Sequence, residues 1–84
     1  MQATELRGRT TATVQGTLQE IDLLAREMRV RVDGLLVAFA VPPTCAVWLH
    51  EERVKLRLLQ PQDCVEVAHT VIGDRQIALC VRVI

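Results

Sequence analysis

Residues 26–41, REMRVRVDGLLVAFAV, decide the fold. Two alternating apolar runs flank Asp33-Gly34, and Asp-Gly in that setting signals a β-hairpin, because a type I′ turn needs positive φ at both central positions. A two-residue turn fixes the register: Val32 faces Leu35, Val30 faces Val37 and Met28 faces Phe39, so one side of the hairpin is apolar throughout. Glu27, Arg29, Arg31 and Asp33 occupy the other side of the first run and meet water. The second run is apolar on both sides. Leu35, Val37, Phe39 and Val41 are expected inside, which leaves Leu36, Ala38 and Ala40 on the exterior.

Upstream, residues 1–9 mix charges without periodicity and read as a flexible N-terminal arm, with a single barrel domain over 10–84. Residues 10–19 alternate, with Ala12, Val14, Gly16 and Leu18 on one face of a first strand, and Gly16 is expected to mark a bend or bulge. IDLLA at 21–25 then connects to the hairpin. Downstream, Pro42-Pro43 stops the third strand, because proline gives a ladder no N–H. The segment 44–50, TCAVWLH, reads as a short helix or lid, with Thr44 as a cap and Trp48 closing one barrel end.

Residues 63–70 place Val65, Val67 and His69 on one face of a fourth strand. Residues 76–84 place Ile77, Leu79, Val81 and Val83 on one face of a fifth. Joining the valine faces sets Val67 against Val81 and Val71 against Ile77. That pairing excludes a two-residue turn and calls for an odd loop with Gly73 or Asp74 left-handed. It also sets Glu66 opposite Arg82 as an exposed ion pair. The pattern is all-β: a small five-stranded, partly open Greek-key barrel, OB-fold-like or alternatively SH3-like, with a short helix or lid between strands 3 and 4.

A chain of 84 residues has room for one domain, and it buries only about 60–65% of its unfolded surface, so nearly every strand must serve the core. Half the residues are apolar, yet Phe39 and Trp48 are the only aromatic ones, so Val, Leu, Ile and Ala must fill the interior. Ten basic and ten acidic side chains give a net charge of zero. This removes the general electrostatic reason to expect nucleic acid or an anionic membrane, although not a local basic patch. No segment approaches the roughly 20 apolar residues of a membrane span. Cys45, Cys64 and Cys80 are odd in number, which suits a reducing compartment, and the chain is expected in the cytoplasm.

VQGTLQEIDLLAREMRVRVDG resembles the opening of a group of small bacterial OB/SH3-like barrel domains of unknown function, which begin with a Gly-Thr-Val first strand and reach an Asp-Gly hairpin. LRLLQPQDCVEVAHT resembles their Leu-x-Pro-x-Asp-x-Val approach to the fourth strand, with Gln62 where that group has Gly. The resemblance spans residues 14–84, and its motifs specify turns and corners. Related barrels include a periplasmic copper chaperone of a metal-efflux system and nucleic-acid-binding OB domains.

Five candidate chemistries follow from these residues. Cys45 and His50, and Cys64 and His69, form two Cys-x4-His pairs 19 residues apart, a donor set suited to tetrahedral zinc. On a strand, however, positions five apart point to opposite faces and lie roughly 16 Å apart, which excludes a shared ion. The copper chemistry implied by the resemblance would use Trp48, His50 and a methionine, of which Met28 is the internal one. Its place opposite Phe39 is that of a core residue, so no metal and no cofactor is expected. A nucleic-acid face would use Arg29 and Arg31, but acidic residues interleave with them and neither aromatic residue joins them. Catalysis is not expected: the chain has no serine, no carboxylate pair at a fixed spacing and no phosphate loop. The remaining class is a non-catalytic binding or assembly module. In an OB-type barrel the third strand lies beside the fifth, so Leu36, Ala38, Ala40, Ala68, Ala78 and Cys80 would form one outer apolar patch, suited to self-association or a protein partner.

Overall fold

The structure is a computed structural model and describes residues 11–84. The expected arm at 1–9 lies outside the described residues. The strands are β1 (Thr11–Asp22), β2 (Glu27–Val32), β3 (Leu35–Ala40), β4 (Ala46–Leu49), β5 (Glu52–Arg53), β6 (Cys64–Ile72) and β7 (Arg75–Val83), with a 3-10 turn at Leu56–Leu58. Their order is β3-β2-β1-β6-β7-β4-β5, and a parallel pairing of Ala40 with Ile77 joins β3 to β7 and closes the ring. This order, with the third barrel strand beside the last, is that of an OB-type barrel.

The β2–β3 hairpin has the register its turn dictates, with Val32 paired to Leu35, Val30 to Val37 and Met28 to Phe39. Asp33 and Gly34 both have positive φ, 50° and 82°, as a type I′ turn requires. Met28, Val30, Phe39 and Val41 are fully buried. Leu35 is not interior as expected but 70% exposed, because the hairpin tip projects past the barrel end.

β1 belongs to both halves of the barrel. It pairs with β6 from Thr11 to Thr17 and with β2 from Thr17 to Asp22. At this crossover the backbone of β2 passes directly over Gly16: a Cβ there would collide with the Arg31 carbonyl oxygen and lie 2.8 Å from Val30 Cγ1. Gly16 therefore allows a close approach. The bulge itself falls between Leu18 and Glu20. IDLLA is divided, with Ile21 and Asp22 ending β1 and Leu23 and Leu24 exposed in the turn. There the Ala25 N–H donates to Asp22 Oδ1 at 3.0 Å.

The second half departs from expectation at several points. The segment after Pro42-Pro43 is not helical: Cys45 N donates to Pro42 O at 2.9 Å, and the chain resumes as β4, parallel to β7, with Ala46 beside Cys80 and Trp48 beside Arg82. β3 covers β7 only at Ile77, so the rest of that edge is open to a β-prone AVWL segment. The short helix is instead the 3-10 turn, where Leu56 is buried, as is the following Leu59, while Trp48 stays half-buried on β4.

The β6–β7 turn has two residues after all, since Ile72 pairs with Arg75. Gly73 is left-handed, with φ 66°. The valine faces still meet, Val67 opposite Val81, because a bulge intervenes: Ala68 pairs with Cys80 and His69 with Ala78, which leaves Leu79 as the extra residue. Beyond the bulge, Thr70 rather than Val71 faces Ile77, Ala78 is fully buried and Leu79 turns outward. Glu66 lies opposite Arg82 as expected, but the two form no ion pair.

Candidate functional site

The soft and nitrogen donors do not assemble as their spacing in the sequence suggests. Cys45 is buried ahead of β4, Cys64 is exposed at the start of β6, and His50 is exposed in the β4–β5 turn with φ 60°. His69 packs edge-on against Phe39, with ring centroids 5.1 Å apart. Among the described residues no three His, Cys, Asp or Glu side chains come together, which leaves no zinc-type site. Met28 is 1% exposed and faces the core. His50 lies four positions beyond Ala46, the partner of Cys80, or about 13 Å along the strand.

The parallel β4–β7 seam makes a different grouping. Ala46 and Cys80 are paired, as are Trp48 and Arg82, so Cys80 and Trp48 stand on the same face in diagonal positions, within reach of a large aromatic side chain. Both are half-buried. Cys45 is next to them on the buried side of the seam. Its thiol is pushed up to about 11, chiefly by burial and then by the charge of Cys80, while Arg26 and Arg53 pull it down. The seam therefore holds a half-buried thiol diagonal to a tryptophan and, near it, a buried thiol kept protonated at neutral pH. Sequence spacing could not reveal this, because β4 and β7 are far apart along the chain. The signal in the sequence was the strand propensity of AVWL.

The Arg29–Arg31 face is mostly self-neutralised. Arg29 Nη1 contacts Glu20 Oε1 at 2.9 Å, and its Nη2 lies 3.7 Å from Glu27 Oε1, so this guanidinium already carries two carboxylate partners. Arg31 is exposed and, among the described residues, reaches only the Gly34 carbonyl at 3.5 Å.

The expected apolar face is discontinuous. Leu36 is 51% exposed and Ala38 is exposed, while Ala40 is half-buried where it meets Ile77. Ala68 and Cys80 are paired and half-buried. Ala78 has no exposed surface and cannot belong to an interface, because the Leu79 bulge turns it into the core.

No family model matches the chain, and no curated protein does. Solved structures do. Apo-CusF from Escherichia coli superposes with a TM-score of 0.75 at 14% identity, covering 100% of this chain and 99% of that one. CusF-Ag(I) from the same organism gives 0.73 at 14% identity, over 89% and 92% of the two chains. A tryptophan-to-alanine CusF variant with Cu(II) gives 0.70 at 15% identity, over 96% and 99%. At such identities the likeness shows the fold, a small OB-like barrel. The expectation that no metal belongs in this context is overturned by the same comparison, since CusF is described with Ag(I) and, as the variant, with Cu(II).

Proposed function

We propose that this chain is a non-catalytic binding barrel that takes up a soft monovalent metal ion, Cu(I) or Ag(I), at Cys80 on the β4–β7 seam. The observation that carries this is the strand pairing that places Cys80 and Trp48 diagonally on one face, with the Cys45 thiol close enough to feel the charge of Cys80. Likeness to a barrel described with Ag(I) and Cu(II) supports the same direction. Thiolate sulfur selects Cu(I)-class ions, and a site without a third hard or imidazole ligand suits an ion content with few soft partners. An indole face adds cation–π attraction and screens the ion from water. A monovalent ion on one Cys80 thiolate forms a neutral pair, so the site needs no second anionic ligand.

The test is titration of Ag(I) or Cu(I) into reduced protein against a competing chelator while Trp48 fluorescence is followed. One ion per chain with quenching is expected. Cys80→Ser abolishes both signals, and Cys64→Ser keeps both. Binding that survives Cys80→Ser and disappears with Cys64→Ser would reduce the metal to a ligand of one exposed thiol.

A second function, self-association along β3, is favoured by Leu36 and Ala38, which lie exposed on a strand edge that β7 covers only at Ala40. Sedimentation at several concentrations tests it. A mass that stays monomeric throughout would rule it out.

A further inference from the structure

Beside the seam, where β3 ends, the surface opens into a recess of about 450 Å³, within the usual range of small-molecule sites. Arg26, Arg53 and Lys55 line it together with Cys45, Val47, Val54 and Leu56, and among the described residues no carboxylate does. None of the three cations has an ion-pair partner among the described residues, in a chain whose net charge is zero. Each is placed by the fold. Arg26 occupies the left-handed region, with φ 53°. Its guanidinium is tied back by Nε donating to Val41 O at 2.9 Å and Nη2 to Pro42 O at 3.5 Å. A guanidinium has five N–H groups, so three remain to donate elsewhere. Arg53 enters from β5, where side chains alternate in direction, so neighbouring Glu52 does not line the recess. Lys55 occupies the N-cap position of the 3-10 turn, with its side chain left free of any cap hydrogen bond. Beneath the charges, Val47 and Leu56 are each 3% exposed and form an apolar floor.

We propose that this recess binds a small organic phosphate monoester, with the phosphate held by Arg26, Arg53 and Lys55 and an apolar group seated on Val47, Val54 and Leu56. Three cations around one cavity match a phosphate dianion better than a carboxylate. A guanidinium fixed in advance by two backbone carbonyls supplies directional donors at little entropic cost. The inference does not rest on the metal proposal: Cys45 lines both places, but the anion contacts need neither Cys80 nor Trp48.

The experiment uses metal-free, reduced protein with phenyl phosphate as the probe, followed by amide chemical shifts. Phenol, which lacks the charge, and inorganic phosphate, which lacks the apolar group, serve as comparisons. Phenyl phosphate is expected to bind at least about 10-fold tighter than either, to weaken as salt rises, and to shift the amides of Val54, Lys55 and Leu56. The double variant Arg53→Gln/Lys55→Gln alters two exposed side chains, so it stays folded and loses at least about 10-fold in affinity. Cys80→Ser binds the probe as the parent does. Equal affinity of the double variant and the parent, or shifts that map to another face, would overturn the site. Loss of probe binding in Cys80→Ser would show that anion and metal sites are one.

Discussion

Replacing Gly16 with alanine adds a single methyl group where two strands cross, and its cost follows from the geometry. The new Cβ would overlap the Arg31 carbonyl oxygen and lie 2.8 Å from Val30 Cγ1 and 3.1 Å from the Arg31 carbonyl carbon. Two of these three atoms are backbone, so relief requires β1 and β2 to separate at their crossover rather than one side chain to rotate. Overpacking of this kind costs roughly 2–3 kcal/mol. The lost chain entropy of glycine returns about 0.5–1 kcal/mol through the unfolded state. The net loss is about 1–2 kcal/mol, out of a total of roughly 5–10 kcal/mol for a domain of this size. With a urea m-value near 1 kcal/mol per M, the unfolding midpoint should fall by about 1–2 M. Gly34 provides the control: its φ is 82° and a Cβ there meets nothing within 4 Å, so Gly34→Ala reports backbone strain without a clash. A Gly16→Ala midpoint within experimental error of the parent would refute the close-approach account.

Other outcomes follow from the same structure. Cys45 has a folded pKa of about 11 against an ordinary 9.0, so the protonated thiol stabilises the fold below pH 9 and that stability is lost as pH rises to 11. The unfolding free energy of the parent should drop by about 2 kcal/mol across that window, while that of Cys45→Ala stays nearly flat. His69 Nδ1 is buried without a hydrogen-bond partner among the described residues; His69→Phe removes that polar atom and should raise stability by about 1 kcal/mol, seen as a Tm increase of roughly 4–8 °C. The Arg29–Glu20 pair is exposed, at 44% and 60% of the two side chains, so Glu20→Gln should change the urea midpoint by only a few tenths of a kcal/mol equivalent.

The parts of the fold that could be read from the sequence were those set by local chemistry. Asp33-Gly34 fixed its own turn type and register, and Pro42-Pro43 marked the end of β3 where it occurs. What escaped was set by partners distant in the chain. Nothing in DCVEVAHT or QIALCVRVI announces that Leu79 is the extra residue of a bulge, and that bulge alone reconciles an even turn with matched valines. TCAVWLH is short enough for a helix or a strand, and the open edge of β7 decides between them. The candidate site suffered the same limitation. The Cys-x4-His spacings are local and bring no donors together among the described residues, whereas Cys80 and Trp48 share a face only through a pairing that joins the middle of the chain to its last strand.

The position of β7 in the ring also bears on how the barrel is made during synthesis. β7 touches β6 on one side and both β3 and β4 on the other. Until it has been translated, three strands each keep a bare hydrogen-bonding edge and Val65 and Val67 lack their cover. The hairpin at Asp33-Gly34 can form early, but ring closure joins residues far apart in sequence and comes late, with a correspondingly slow rate. A ribosome-bound chain lacking β7 is therefore a set of exposed strand edges. Retention by an edge-binding chaperone, or aggregation if translation stalls before Arg75, is the fate this topology sets for it.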